Sequence, residues 1–148
     1  MAGEIDAAVQ ATLEILRNIS GLRSAPSYSP EDPKLYPVLI GQVSDASWNK
    51  ESSGQVRGLH TIQIGIYVVR KSLPEDIKSI MPYGDLVKDK LLADTNATLS
   101  GTVDTISDNI TARFGDIEYY PGLVLVGWTF QIPVKLRSRW DGTKYVKM

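Results

Sequence analysis

The sequence predicts an α+β domain: a four-stranded, mainly antiparallel sheet with helices packed on one face and a long hairpin loop. Segments of two-residue apolar alternation occur in two neighbouring pairs, each reading as a hairpin. Helix-period segments precede the first pair and separate it from the second. The 148 residues are expected to form this one domain (residues 1–148), since chains of about 100–200 residues usually form one. With 43% apolar and 22% charged residues, the chain has the profile of a globular protein rather than a disordered one.

Ile5, Ala8, Val9, Thr12, Leu16 and Ile19 recur at three- and four-residue steps, so roughly Glu4 to Ile19 reads as an amphipathic helix, with Gly21 as its stop. "RSAPSYSPEDPK" carries Pro26, Pro30 and Pro33 and reads as an extended connector. A first strand is expected over Leu35 to Val43, with Pro37 at its start, where a missing donor is tolerated. Ser44 to Gly58 is polar and aperiodic, hence the long hairpin loop, with Trp48 oddly placed in it. In "LHTIQIGIYVV", Ile62, Ile64, Ile66 and Val68 line one face of a second strand.

Ser72, Pro74 and Glu75 form a helix-start signature. Two helical pieces should follow, broken near Pro82: Ile77, Ile80 and Met81, then Leu86, Val87, Leu91 and Leu92. "TNATLSGTVDTISDN" is rich in turn formers. "ITARFGDIEYY" reads as a strand whose apolar parity switches at Gly115, which suggests a bulge. After the Pro121-Gly122 turn, "LVLVGWTFQIPVKLRSRW" places Val124, Val126, Trp128, Phe130, Ile132, Val134 and Leu136 on one face. At about 3.3 Å per residue so long a strand must bend near Gly127 or Pro133, or project beyond its domain. Pro133 belongs at an edge or a bulge. Asp141-Gly142 is a hairpin dipeptide that would return Thr143 to Val146 as a short terminal strand.

Nothing in the sequence reads as an active site, and no catalytic residue, metal ligand or cofactor is expected. There are no cysteines, so thiol catalysis, thiolate metal sites and disulfides are excluded. The acidic N-terminus lacks a signal-peptide pattern, no apolar run approaches a membrane span, and synthesis inside the cell is expected. The sequons at Asn18, Asn96 and Asn109 are therefore read as chance. His60, the single histidine, is expected to be a satisfied or exposed strand residue. The pairs Glu31/Asp32, Glu75/Asp76 and Asp116/Glu118 fall where capping and solvation account for them. Nucleotide-binding glycine patterns and the calcium-loop spacing are missing. A net charge of −1 gives no global attraction to nucleic acid or membranes and leaves local patches open.

The default is then binding or assembly. Thr61, Gln63 and Gly65 on one strand, and Gly127, Thr129 and Gln131 on another, make a small, uncharged sheet face that another surface can approach closely. Lys135, Arg137, Arg139 and Trp140 lie at or past the domain margin, and Trp and Arg are enriched at interface hot spots. Trp48, Thr61, Gln63, Thr129, Gln131, Arg137, Arg139 and Trp140 are the expected interface residues.

The order of "YPVLIGQV", a hairpin loop, "HTIQIGIYVVR", a helix in "GDLVKDKLLAD" and the closing "LVLVGWTFQIPVKLR" resembles the tail terminator, or tail completion, proteins of long-tailed bacteriophages. The likeness covers roughly Glu4 to Arg137. It implies a structural virion protein and not an enzyme: a hexameric ring that caps the tail tube and gives the head connector its docking surface. Partners would be further copies, the tube protein and the connector, with DNA passing through the lumen unread. The location would be the head-proximal end of the virion tail, reached by assembly in the host cytoplasm. The family's hairpin loop corresponds to Ser44–Gly58 and its last long strand to Leu123–Arg137. "SRWDGTKYVKM" departs from the family's helical or extended C-terminal piece. A head-closure, neck or tail tube subunit, a small ligand- or nucleic-acid-binding domain, and a hydrolase around His60 are the rival readings.

Overall fold

The computed structural model describes residues 3–107 and 109–148. Helix α1 spans Glu4–Leu16 and leads through the proline-rich connector to strand β1, Val38–Ser52. Strand β2 is Gln55–Val69, and two short helices follow, α2 at Glu75–Ile80 and α3 at Tyr83–Leu91, broken at Met81-Pro82 as the sequence predicts. Strands β3 (Thr105–Ile106), β4 (Thr111–Tyr120), β5 (Leu123–Trp140) and β6 (Tyr145–Lys147) complete the chain.

The expected sheet is corrected. It has six strands, not four, and dominates the fold. The order is β1-β2-β5, and the far side of β5 is occupied in turn by β4, β3 and β6, all antiparallel to it. One edge of the sheet is thus assembled from three separate segments. A two-residue β3 cannot be read from periodicity, because alternation needs at least four residues to show.

The long hairpin loop is corrected as well. Ser44–Gly58 is paired strand on both sides of a Ser53-Gly54 turn, with Gly54 in the left-handed region (φ 79). Its ladder runs from Asp45↔Thr61 to Ser52↔Gln55. The residues read as loop because most of β1 here is exposed on both faces, so no hydrophobic alternation is required of it.

Even-numbered residues of β2 and β5 face the helices. Ile62, Ile64 and Ile66 lie beside Phe130, Ile132 and Val134 under Leu13 and Leu16 of α1, Ile80 of α2, and Val87 and Leu91 of α3. Burying each such side chain contributes about 1.5–3 kcal/mol. Leu99 and Val103, in the turn-rich segment before β3, close this core at 0% and 1% exposure. All three helices lie on this one face.

The other face has its own smaller core, which explains the parity switch in β4. Phe114 faces the helices, whereas Ile117 and Tyr119 join Val38, Ile40, Tyr67 and Leu125 on the opposite side. No bulge is needed at Gly115: the register is regular from Thr111↔Gln131 to Glu118↔Val124 and shifts only before Tyr120. The Tyr119 hydroxyl donates to the Pro30 carbonyl and that of Tyr120 to Asp32 (3.0 Å), tying the connector across this half of the face.

Three further expectations change. Ser72 does not cap α2 with its side chain; the Asp76 carboxylate instead accepts from the backbone N–H groups of Lys71 and Ser72, both at 2.6 Å. Strand β5 does not bulge, pairing with β2 without interruption from Leu125 to Arg139. Pro133 sits in that interior strand, where its carbonyl accepts from Ser107 N–H (2.8 Å), on the side where β3 and β4 leave a break. In an antiparallel strand a residue's N–H and C=O point the same way. The missing donor therefore falls at the break.

Gly127 fills a space no side chain can enter: a Cβ there would collide with the Ile66 carbonyl oxygen. A Cβ on Gly115 would meet open space. Gly127→Ala should therefore cost about 1–3 kcal/mol or more by overpacking, and Gly115→Ala should stay within about 1 kcal/mol of wild type. Urea unfolding midpoints of the two variants check this.

Candidate functional site

Three surfaces stand out, the first two on an arm formed by the β1–β2 hairpin and the second half of β5. The first is an edge. β1 is outermost in the sheet, and its outer side meets another segment only at its start, where Leu39 N–H donates to Ser24 O (2.8 Å). Past that point, among the described residues, nothing pairs the outer side of β1, and residues 42–52 are exposed apart from half-buried Ala46. Such an edge is a template for another strand. The sheet's other edge, the outer side of β4, is likewise unpaired among the described residues.

The second surface is the odd-numbered face of β2 and β5, which gathers six of the eight predicted interface residues: Thr61, Gln63, Thr129, Gln131, Arg137 and Arg139. Its polar groups bond one another. Gln131 Nε2 donates to Gln63 Oε1 (2.9 Å), Ser44 Oγ reaches Gln131 Oε1 (3.0 Å), and the Tyr67 hydroxyl lies 2.5 Å from Thr129 Oγ1. A cleft of about 510 Å³ opens over them, bounded by Thr111 and Arg113 of β4. Burial pushes the Tyr67 phenol pKa up, so the ring stays neutral and its hydroxyl can donate. Farther along the arm the face turns cationic, with Arg57 opposite Arg137, and Lys135 and Arg139 on either side.

Trp48 and Trp140 lie on the opposite, helix-side face. Trp140 meets Tyr145 of β6 edge to face at 5.2 Å. Trp48, 63% exposed, packs against His60 at 5.3 Å. His60 is neither exposed nor satisfied, a correction to the sequence reading: it is 4% exposed and its Nδ1 is buried without a partner. Its ring lies against Gly58, where a Cβ would leave it no room. The Glu4 carboxylate at the start of α1 is close enough to act on it, and receives a hydrogen bond from Ser138 Oγ (2.8 Å).

A third surface is an apolar cleft of about 500 Å³ between α3 and the sheet, floored by Ile110, Trp128 and Phe130 with Met81 and Leu92 at its mouth. The Trp128 indole N–H donates to Met81 O (3.0 Å), which fixes that wall. Among the described residues no three metal-ligating side chains come together. No described helix is long and apolar enough to cross a membrane. No protein-family model matches the chain, and no curated protein is significantly similar to it in sequence.

The sequence reading missed Arg57 and the Ser138–Glu4 hydrogen bond near His60. Arg57 lay in the segment read as loop, although Val56, Gly58 and His60 alternate with Arg57 and Leu59. The contact to Glu4 joins residues 134 positions apart and leaves no local signal.

Burial pushes the His60 pKa below its ordinary value, with Glu4 opposing the shift. The unfolded imidazole takes up a proton near pH 6.5, the folded one only at lower pH. The unfolded state thus binds more protons in that window, and stability present above about pH 6.5 falls as the pH drops to the folded value, then levels off. Urea midpoints measured from about pH 7.5 to about pH 5 should show this decline in wild type, and His60→Phe should remove that part of the slope.

Proposed function

We propose that this chain is a structural subunit of tail-terminator type, assembling head to tail into a ring that caps a phage tail tube and receives the head connector. The observation that carries the reading is the free outer edge of β1 over residues 42–52, set across the sheet from a second free edge at β4. Two different unpaired edges on one subunit favour heterologous contact, one copy's β1 against the next copy's β4. Such contacts close into rings when the rotation permits. The order of elements that resembles the terminator family supports the same reading. So does the rigidity of the arm: the Ser44–Gly58 segment is a paired hairpin, which presents its edge with less ordering entropy than a loop would.

The test is the oligomeric state of the full chain. Light scattering and negative-stain electron microscopy of wild type should give one discrete ring species as concentration rises. Val43→Lys with Asn49→Lys places charges along the exposed edge and should yield monomer with a thermal midpoint close to wild type. Wild type that stays monomeric at every concentration overturns the reading, and open-ended tubes would replace it with that of a tube subunit.

A further inference from the structure

We propose that the odd-numbered face of the arm binds the phosphodiester backbone of nucleic acid through four cations: Arg57, Lys135, Arg137 and Arg139. The register builds the group. Lys135, Arg137 and Arg139 alternate along β5 and share a face at steps of about 6.6 Å, comparable to the separation of neighbouring phosphates along a strand. Arg57 stands directly opposite Arg137 on β2. Like charges directly across two strands are destabilising, so folding alone gives no reason to place them there.

The chain's own acids neutralise the group only in part. Glu51 meets Arg137 (3.2 Å). Asp104 accepts the backbone N–H of Arg137 (2.9 Å) and faces Lys147 (3.8 Å). Arg57 is half-buried, and its Nε is itself buried without a hydrogen-bond partner. The asymmetry extends to the whole arm. Residues 44–60 and 133–148 hold seven of the 16 cations and three of the 17 acids, a net +4, against −5 on the rest of the chain.

The complementary surface is polyanionic, and the acidic body of a second copy suits it poorly. Several of its carboxylates are engaged already: Glu75 with Lys78, Asp85 and Asp89 with Lys88, Asp116 with Arg70. A nucleic-acid strand offers unpaired charges at regular spacing, and the planar arginine fork matches a phosphate. Contacts of this kind position a strand without reading its sequence. The proposal rests on neither ring assembly nor family resemblance.

The test is fluorescence anisotropy of a labelled oligothymidine titrated with the full chain at several salt concentrations. Four phosphate contacts predict that log K falls with log[salt] at a slope near −3, about 0.7 per phosphate on a single strand. Lys135→Gln with Arg139→Gln, both exposed and so compatible with folding, should flatten the slope by about 1.4 and weaken low-salt affinity about tenfold. Lys71→Gln with Lys90→Gln, on the body, should change neither, and thermal midpoints verify that each variant is folded. No binding by wild type at low salt overturns the proposal. So does a slope insensitive to the arm variant, an equal loss in the body variant, or polyglutamate competing as well as the oligonucleotide at equal charge.

Discussion

Everything in this molecule hangs on the pairing of β2 with β5. Fifteen consecutive cross-strand pairs, Gln55↔Arg139 to Val69↔Leu125, run without a bulge. Because side chains alternate strictly along a strand, that register assigns every residue of both strands to a face at once. A slip of β2 by one position would turn Ile62, Ile64 and Ile66 away from the helices and send Gln63 under them. The buried aliphatic layer makes such a slip prohibitive, and so it also holds the arm's polar and cationic residues in place.

The arm is a consequence of that register carried past the helical cover. Near the helices both faces are used: the even-numbered residues build the main core, and the odd-numbered ones build a smaller core under the connector. Past these, the odd face first satisfies itself with the Ser44–Gln131–Gln63 bonds and then turns cationic. One backbone ladder thus supplies stability at one end and chemical character at the other. The role proposed for the arm, edge-to-edge assembly or contact with phosphates, calls for no catalytic group. It needs side chains held at fixed spacing on a stiff support.

Local signals in the sequence carried much of this. The amphipathic period of α1, the break at Pro82, the second hairpin and the Asp141-Gly142 return are properties of neighbouring residues, and each formed at or near its predicted place. The helix-side core followed from parity alone. The misreadings share a cause. Ser44–Gly58 looked like loop because an edge strand exposed on both faces carries no hydrophobic alternation. Gly115 looked like a bulge because the second core, which recruits Ile117 and Tyr119, depends on a connector more than 80 residues away. β3 was invisible because two residues make no period.

What the sequence determined by itself, then, was the local grammar: which segments alternate, which turn, and that the last long strand ends in cations and tryptophan. Which cations stand together was decided only by tertiary structure. Arg57 and Arg137 are 80 positions apart, and Trp140 follows Arg139 directly yet faces the other way. Spacing along the chain settles the face a residue takes within its own strand. The register between strands, enforced by the core, settles which residue it meets.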